Sequence, residues 1–334
     1  MSSRILDFSR FCEWNTDQSN DHPLDSYRID LSKQYPLIDY LLLRNGVGCL
    51  PRGDLQVITG KQKAGKSYVS LCLEVALLRG EFMGFTATKE NYRILHIDTE
   101  QHESNVSDKV RKVHLLCGFP EERNDRFIVL TLRKLSSKER LEKCIEAIEE
   151  YHPNFVVIDG IRDLCKDFND ITESANLVGI LMTLCSQHQI AIMNVIHENK
   201  ADKNMRGHLG TELANKSSEV YSALNDNNLI KIEQTICRNA LIDKWAFLID
   251  EEGMPISSVG QLTTQQQKRS NALAAIFENS ESYIHTKLIE EFMKEYGCQK
   301  PAAIDNINTA IKERTLIKTD NLYMLPDNKS DNPD

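Results

Sequence analysis

The sequence has no long apolar run and no excess of positive charge. The first absence excludes a membrane-spanning protein, and the second argues against a protein that coats nucleic acid. Its longest apolar stretches, such as Phe155–Ile158 and Ile190–Ile196, are far too short to span a bilayer. The amino-terminal residues have neither the apolar core nor the small-residue cleavage site of a signal peptide. With 40 Lys and Arg against 49 Asp and Glu, the net charge is −9. This balance argues against coating of nucleic acid through bulk charge, although a local basic channel is compatible with it.

Paired cysteine spacings are also missing. The nine cysteines include no CxxC pair, and Cys72, Cys185 and Cys237 lie in apolar-rich stretches. We therefore expect reduced cysteines that bind no metal and form no disulfide, as in a cytoplasmic protein. A hydrophobic fraction of 41% with 27% charged residues excludes a mainly disordered chain, and 334 residues suggest about two domains.

Composition divides the chain into five segments. Residues 1–36 form a polar arm rich in Asp, Ser and Asn, which we expect to be ordered only when it docks on something. Residues 37–256 alternate strand-like and helical runs. A linker rich in Ser, Thr and Gln covers 257–267, a small helical unit covers 268–326, and an acidic tail at 327–334 is expected to be disordered.

The segment 37–256 has the pattern of an α/β fold, a mainly parallel sheet between helices. Its strand-like runs are Leu55–Thr59, Arg93–Asp98, Phe127–Thr131, Phe155–Asp159 and Ile190–Ile196. Amphipathic helical runs such as Ser67–Leu78 and Ser137–Tyr151 separate them. Nearly continuous apolar strands between helices indicate a parallel sheet covered on both faces. Two later runs, Leu229–Thr235 and Lys244–Asp250, flank a turn-like segment and predict an antiparallel pair.

The carboxyl-terminal unit has the layout of a winged helix. Its predicted helices Asn271–Phe277, Ile284–Tyr296 and Ala302–Glu313 each carry an apolar stripe, and Thr315–Leu325 alternates like a hairpin with a turn at Asp320–Asn321. A winged helix can place a recognition helix in the major groove of DNA, and Ala302–Arg314 offers the polar side chains for this. Winged helices also dock on proteins, so both uses remain open.

A phosphate-binding motif follows the first predicted strand. The residues Gly60, Lys61, Gln62, Lys63, Ala64, Gly65, Lys66 and Ser67 match GxxxxGK[ST], and Tyr68 follows them into the helical run. This strand–loop–helix setting lets backbone N–H groups surround phosphate oxygens at a helix N-terminus. Lys66 would reach the β and γ phosphates of ATP, and the Ser67 hydroxyl would hold Mg²⁺.

Carboxylates follow two other predicted strands. Asp159 ends an apolar strand at the sheet edge where the ligand would lie, which makes it the second Mg²⁺ anchor. Hydrolysis also requires a carboxylate that orients or deprotonates water. Glu100, after the strand ending in Asp98, is preferred for this role, and Asp163 is the alternative. Asp98 could support the site.

Together these residues resemble the RecA-like P-loop ATPase core. The phosphate loop, the Ile-Asp-Thr-Glu sequence ending at Glu100 and the strand ending in Asp159 are similar to those of plasmid RepA-type hexameric replicative helicases, and also of KaiC and RadA-like proteins. The resemblance covers roughly residues 37–255. It implies an ATP- and Mg²⁺-dependent ATPase that forms a homo-oligomer, a hexameric ring, and acts on DNA in replication or mobilisation of a plasmid or other mobile element. In that family the catalytic glutamate corresponds to Glu100.

Three further residues acquire roles from this resemblance. His197 ends the predicted strand Ile190–Ile196 and matches the polar residue that senses the γ-phosphate. Arg206 matches the arginine finger that a subunit offers to the ATP of its neighbour, and a guanidinium fork suits a phosphoryl group. Arg238 is a second candidate for this finger. Related helicases often have Lys-x-Arg there, whereas this chain has Ile236-Cys237-Arg238.

In a ring, single-stranded DNA would contact loops that face the channel. The loop Asn199–Lys216 is locally basic through Lys200, Lys203, Arg206, His208 and Lys216, whereas Arg162–Glu173 is mixed in sign. Six subunits would present such loops together, so a net negative charge does not exclude DNA. Two alternatives remain: a DNA-binding regulatory or recombination-accessory ATPase without unwinding activity, and a KaiC-like nucleotide-gated signalling protein.

Overall fold

A computed structural model describes residues 24–199, 204–257, 264–278, 280, 282–312, 315–319 and 322–325. Residues 1–38 and 39–334 form two units, which are described separately. In the first unit a 3-10 helix covers Asp25–Tyr27, and the backbone N–H of Asp30 donates to the Tyr35 hydroxyl at 2.8 Å. Most of the predicted polar arm, residues 1–23, lies outside the described residues, as does the predicted tail at 327–334.

The second unit is built from alternating strands and helices. In chain order its described elements are β1 (Tyr40–Arg44), β2 (Val47–Pro51), β3 (Leu55–Thr59), α1 (Lys66–Arg79), β4 (Glu81–Phe82), β5 (Phe85–Ala87), β6 (Ile94–Asp98), α2 (Glu103–Cys117), β7 (Phe127–Thr131), α3 (Ser137–Tyr151), β8 (Phe155–Asp159), a 3-10 helix (Ile161–Leu164), α4 (Ile171–His188), β9 (Ala191–Val195), α5 (Gly207–Lys216), β10 (Glu219–Asp226), β11 (Leu229–Cys237), β12 (Trp245–Ile249), β13 (Pro255–Ser257), α6 (Thr264–Phe277), β14 (Tyr283–Ile284), α7 (His285–Tyr296), α8 (Lys300–Lys312), β15 (Ile317–Thr319) and β16 (Leu322–Met324).

A nine-stranded sheet forms the centre of this unit. Its strand order is β13-β12-β11-β10-β3-β9-β8-β6-β7, and the six strands from β10 to β7 are parallel. Strands β3, β6, β8 and β9 are buried at every position, because helices cover both faces of the sheet. One face packs against α1 and α2, and the other packs against α3, α4 and α5. The predicted mixed α/β fold with a mainly parallel sheet is confirmed.

The edge of the sheet beyond β10 is antiparallel. Strands β11 and β12 pair as the sequence predicts, and β13 extends the sheet by one more strand. The sequence analysis missed β10, which pairs with β3 in parallel and with β11 in an antiparallel hairpin. It also missed a small antiparallel sheet of order β2-β1-β5-β4. Strands β4 and β5 have only two and three residues, which is too short for a period of two to be visible.

The carboxyl-terminal helices α6, α7 and α8 enclose a separate apolar cluster that includes Leu288, Phe292 and Ile307. Strands β14, β16 and β15 form a three-stranded sheet beside it, in that order. The predicted turn at residues 320–321 lies outside the described residues. Helix α6 begins at Thr264, within the predicted linker 257–267. Its polar first turns conceal the helix in the sequence, since its buried apolar residues come only later.

The sequence predicts neither a membrane-spanning segment nor a disulfide. Among the described helices, none combines the length and the apolar character needed to cross a membrane. The cysteines in the described part of the chain are all free, and Cys72 and Cys185 are buried, whereas Cys237 is half-buried. Burial raises the pKa of the Cys72 thiol well above its usual value, so this thiol is protonated in the core.

Candidate functional site

The loop Gly60–Gly65 connects β3 to α1 at the edge where the parallel strands end. Gly65 has a left-handed backbone with φ 88° and precedes the first residue of α1. A Cβ atom at Gly65 would lie 2.7 Å from the Ile230 Cδ1 atom on β11, so only glycine fits this position. The loop therefore directs its backbone N–H groups and the N-terminus of α1 to one place, as a phosphate site requires.

Lys66 is buried and makes three contacts. Its Nζ donates to the carbonyl oxygens of Gly60 at 3.0 Å and Lys61 at 2.9 Å, and it lies 2.9 Å from Nδ1 of His197. An ammonium group can only donate, so His197 accepts through Nδ1 and carries its own proton on Nε2. Burial, and then the charge of Lys66, lower the pKa of His197, which keeps the imidazole neutral. His197 thus retains an N–H that can donate to an anion.

Ser67 and Asp159 meet at the base of the site. The Ser67 hydroxyl donates to Oδ2 of Asp159 at 2.7 Å. Asp98 lies beside them: its Oδ1 accepts from the N–H groups of Glu100 at 3.0 Å and Gln101 at 2.7 Å, and its Oδ2 is buried without a hydrogen-bond partner. Hydroxyl and carboxylate oxygens are the ligands that Mg²⁺ prefers, so the donor set fits this ion.

His96 also lies close to both carboxylates, since His96, Asp98 and Asp159 each place one possible ligand atom within 4.8 Å of the others. Both imidazole nitrogens are engaged elsewhere. Nδ1 is 2.5 Å from Oε1 of the fully buried Glu74, and Nε2 is 3.3 Å from Nζ of Lys109. Burial opposes the charge on Glu74, but His96 and Lys109 outweigh it and lower the pKa of this carboxyl. His96 therefore belongs to a buried hydrogen-bond network rather than to an ion site.

Lys109 extends from α2 towards the same carboxylate. Its Nζ donates to the Ser70 hydroxyl at 3.0 Å and lies 3.9 Å from Oδ2 of Asp159. A chain of polar contacts thus runs from Glu74 through His96 and Lys109 to the predicted Mg²⁺ anchor. No sequence pattern predicts this network, because its members come from four separate elements.

Glu100 and Asp163, the two candidates for activating water, occupy different positions. Glu100 lines the same cavity as Lys66 and Asp159, whereas Asp163 lines only a neighbouring cavity. Asp163 already accepts from the Thr99 hydroxyl at 3.2 Å and lies 3.8 Å from the guanidinium of Arg140. Partial burial, then the nearby carboxylates led by Asp163, raise the pKa of Glu100. This geometry favours Glu100 as a base.

These residues surround a cavity of about 410 Å³. Its charged lining consists of the cationic side chains Lys63, Lys66, Arg162 and Arg206 and the carboxylates Glu100 and Asp159. Cations outnumber carboxylates, which suits a bound anion. Of the predicted loop, Ala64, Gly65, Ser67 and Tyr68 also line this cavity. Lys61 and Gln62 line the neighbouring cavity, and the Gly60 carbonyl accepts from Lys66.

Uncharged side chains line the cavity as well. Tyr68, Asn225 and Ile249 line it, and the Tyr68 hydroxyl donates to the Gly253 carbonyl at 3.0 Å. Asn225 donates to the Lys63 carbonyl at 3.2 Å, so β10 touches the phosphate loop directly. Asn225 and Ile249 were not predicted as site residues, because the antiparallel edge of the sheet brings both to the cavity.

Arg206 lines the cavity of its own chain. Its backbone N–H donates to the His197 carbonyl at 3.0 Å, which holds it beside the phosphate loop. The role of Arg206 at the ATP of a neighbouring subunit, which the family resemblance implies, stays a prediction. Arg162, three residues after Asp159, lines the same cavity and was not assigned a role at the phosphate. Its closeness to Asp159 in the sequence was the available signal.

Arg238 lies away from the cavity. It follows β11 where Cys237 pairs with Glu219, and Glu219 pairs with Gln56 near the beginning of β3. The guanidinium of Arg238 donates to the Lys216 carbonyl at 2.9 Å. Since the phosphate loop follows the end of β3, Arg238 is at the opposite edge of the sheet and cannot reach the nucleotide site of its own chain.

Comparison with known proteins agrees with this geometry. Residues 43–203 match the model of a family described as the AAA domain. The search of curated proteins found no match. The matched segment contains the phosphate loop together with Glu100, Asp159 and His197. Residues 43–203 therefore form an AAA/P-loop NTPase-like domain, the kind found in nucleotide-hydrolysing ATPases that typically bind their nucleotide with Mg²⁺.

Proposed function

We propose that the protein is a RecA-like ATPase motor that hydrolyses ATP at this cavity. The observation that carries the proposal is the convergence of Lys66, Ser67, Asp159 and His197 on one cavity, where Lys66 contacts His197 and Ser67 contacts Asp159 although these residues follow three different strands. Glu100, from a fourth strand, opens into the same cavity.

Each residue has a role that its contacts support. Lys66 would leave the Gly60 and Lys61 carbonyls for phosphate oxygens, and Ser67 and Asp159 would hold Mg²⁺, which neutralises phosphate charge when bound. Glu100, with its raised pKa, would accept the proton of the attacking water. The Nε2–H of His197 would donate to the γ-phosphate and report its loss to the following loop.

We further propose that the protein is a hexameric DNA helicase, or a DNA-associated ATPase, of plasmid or mobile-element replication or mobilisation. The basic segment 199–216 supports this: Arg206 ends the loop after His197, and His208 and Lys216 lie in the helix α5 that follows, where the sequence predicts a loop. Its residues Lys200 and Lys203 lie outside the described residues. Single-stranded DNA would contact this loop in several subunits at once.

A winged-helix function for residues 268–326 is also a proposal, supported by three helices beside a three-stranded sheet. In α8 two candidate DNA-reading side chains are occupied. Asn306 accepts from Arg269 at 3.3 Å and donates to the Ala302 carbonyl at 2.8 Å, and the Thr309 hydroxyl donates to the Asp305 carbonyl at 2.7 Å. Protein docking and base reading by this unit both stay proposals. Residues 313–314 lie outside the described residues.

The test separates nucleotide binding from hydrolysis. We expect Lys66→Ala to lose ATP binding and Glu100→Gln to bind ATP but not to cleave it. Lys138→Ala, an exposed lysine on α3, serves as the matched control and should change neither. Binding is measured with a fluorescent ATP analogue, and hydrolysis is measured as phosphate release. Normal cleavage by Glu100→Gln would show that another residue activates water.

Three further measurements separate the candidate functions. A helicase should show ATPase stimulation by single-stranded DNA, strand displacement, and an ATP-dependent increase in solution mass. A DNA-binding regulatory ATPase should hydrolyse ATP without separating strands. A KaiC-like signalling protein should show no stimulation by single-stranded DNA.

A further inference from the structure

Arg162 and Arg206 are both available to an anion in the cavity. Each lines the wall that also contains Lys66 and His197. Among the described residues, no carboxylate lies within ion-pair distance of either guanidinium, whereas Arg140 nearby lies 3.8 Å from Asp163. These two guanidiniums account for the excess of cations over carboxylates in the cavity lining, and this excess suits a bound anion.

Both arginines are gathered around the ring of Phe168. The Arg162 Cζ atom lies 4.3 Å from the ring centroid, and the Arg206 Cζ atom lies 5.4 Å from it. The Phe168 carbonyl accepts from the Leu209 N–H at 3.1 Å and from the Ser174 hydroxyl at 3.2 Å. A Cβ atom at Gly207 would lie 2.5 Å from Phe168 Cδ2, so the loop after His197 packs closely on the ring. Phe168 therefore holds two like charges close together.

The position of Arg162 is tied to the predicted Mg²⁺ anchor. It lies in the 3-10 helix Ile161–Leu164, which begins two residues after Asp159. Gly160 separates the two elements, and its left-handed backbone, with φ 102°, sets the direction of this helix. Because the separation is so short, a phosphate near Asp159 is within the range of a long guanidinium side chain on this helix.

We propose that Arg162 is a catalytic residue that acts in cis, together with Arg206, on the γ-phosphoryl group of ATP. This inference rests on the proposed ATPase function. The oxygen of water attacks the γ-phosphorus, Glu100 takes the water proton, and the bond to the β–γ bridging oxygen breaks to leave ADP and inorganic phosphate. Negative charge on the transferred group is stabilised by the two planar guanidiniums, whose forks match phosphoryl oxygens. The Phe168 ring positions both forks on the same side of the cavity.

The test uses the full-length protein with Mg²⁺ and three nucleotide ligands: ADP, ATP, and ADP with aluminium fluoride as a mimic of the transferred phosphoryl group. We expect Arg162→Gln to slow single-turnover hydrolysis by about 100- to 1,000-fold, the usual effect of removing one donor to a developing charge. Its affinity for ADP should stay within about twofold, while its affinity for the aluminium fluoride complex should fall as the rate does. Arg162→Lys should recover only a small part of the loss, because a point charge cannot replace the fork.

The matched control is Arg133→Gln, since Arg133 is exposed and lines only the neighbouring cavity. It should leave all three affinities and the rate unchanged. Phe168→Leu keeps an apolar side chain but removes the ring, and it should reduce the preference for the aluminium fluoride complex without changing ADP affinity. Arg162 is itself exposed, so its replacement should leave the unfolding midpoint unchanged.

Three results would overturn the proposal. Arg162→Gln could keep the wild-type rate of hydrolysis, which would show that Arg162 does not act in the reaction. It could instead weaken the binding of ADP and of the aluminium fluoride complex equally, which would show a role in shaping the cavity alone. Mixing Arg162→Gln with Lys66→Ala subunits could restore hydrolysis, which would show that Arg162 acts on a neighbour's ATP. A wild-type protein that fails to bind ATP would instead refute the proposed function and this inference with it.

Discussion

Glu219 should make the stability of the protein depend on pH near neutrality. This first residue of β10 is 1% exposed, and one of its oxygens, Oε2, accepts from the Leu50 N–H at 2.9 Å and from the Tyr221 hydroxyl at 2.7 Å. The other oxygen, Oε1, is buried without a hydrogen-bond partner. Burial raises the pKa of this carboxyl to about 7, against the two hydrogen bonds that lower it. In the folded protein the Glu219 carboxyl therefore takes up a proton as the pH falls through about 7.

The direction of the effect follows from the raised pKa. The folded protein holds the proton more tightly than the unfolded chain, so the stabilising contribution is complete below the unfolded pKa of about 4.5 and is lost as pH rises through about 7. Each unit of pKa difference corresponds to about 1.4 kcal/mol, so the loss approaches about 3 kcal/mol. Stability should therefore fall between pH 5 and pH 8 by an amount of this order.

Glu219→Gln isolates this contribution, because the amide keeps the shape and one acceptor oxygen but does not titrate. We expect the variant to match the wild type at pH 5 and to exceed it by about 3 kcal/mol at pH 8. The assay is urea unfolding at several pH values, followed through the fluorescence of Trp245, which packs against Phe247 in the same sheet.

Glu233→Gln, on the exposed side of the adjacent strand β11, is the matched control and should show no such divergence. If the stability difference between wild type and Glu219→Gln stays constant from pH 5 to pH 8, the carboxyl is already ionised in the fold and the reasoning is wrong.

Other variants test the buried network and the geometry of the site. His96→Leu removes the imidazole that contacts Oε1 of the buried Glu74 carboxylate, and the free energy of unfolding in urea should fall by about 2–3 kcal/mol. A double variant that also carries Glu74→Gln should recover part of this loss. Gly160→Ala would place a Cβ atom 2.7 Å from Glu100 Cγ at a backbone with φ 102°, so phosphate release should slow by about tenfold or more while ADP binding persists. Asp159→Asn should weaken nucleotide binding about tenfold with Mg²⁺ but not with a chelator present, as measured with a fluorescent ADP analogue; equal binding under both conditions would remove Asp159 from the ion site.

The strands that build the site were visible in the sequence because burial on both faces demands nearly continuous apolar residues. Leu55–Thr59 and Phe155–Asp159, which are buried at every position, have the predicted bounds, and so does the partly buried edge strand Phe127–Thr131. The phosphate loop was visible for a similar reason, since its chemistry depends on residues that are consecutive in the chain. Strand β10 was missed because its polar second half does not alternate clearly, and its place is decided by pairing with β3 and β11.

Site residues that come from separate helices and strands are harder to predict from the sequence. Arg206 lines its own chain's cavity, where its backbone N–H donates to the His197 carbonyl. Its role as an arginine finger for a neighbouring subunit stays a prediction. Arg162 carries no motif of its own; its closeness to Asp159 in the sequence is a weak signal, and its position at the cavity and at Phe168 is known only from the structure. The roles of these two arginines remain proposals that the variants above can test.

By itself, the sequence determined a parallel α/β core, a phosphate loop and strand-end carboxylates, because each depends on local periodicity or consecutive residues. Only the tertiary structure brought Lys66 to His197, joined Glu74, His96 and Lys109 behind Asp159, and separated Arg238 from the cavity. These contacts join residues far apart in the chain. Their distances depend on strand order and register, which no local pattern encodes.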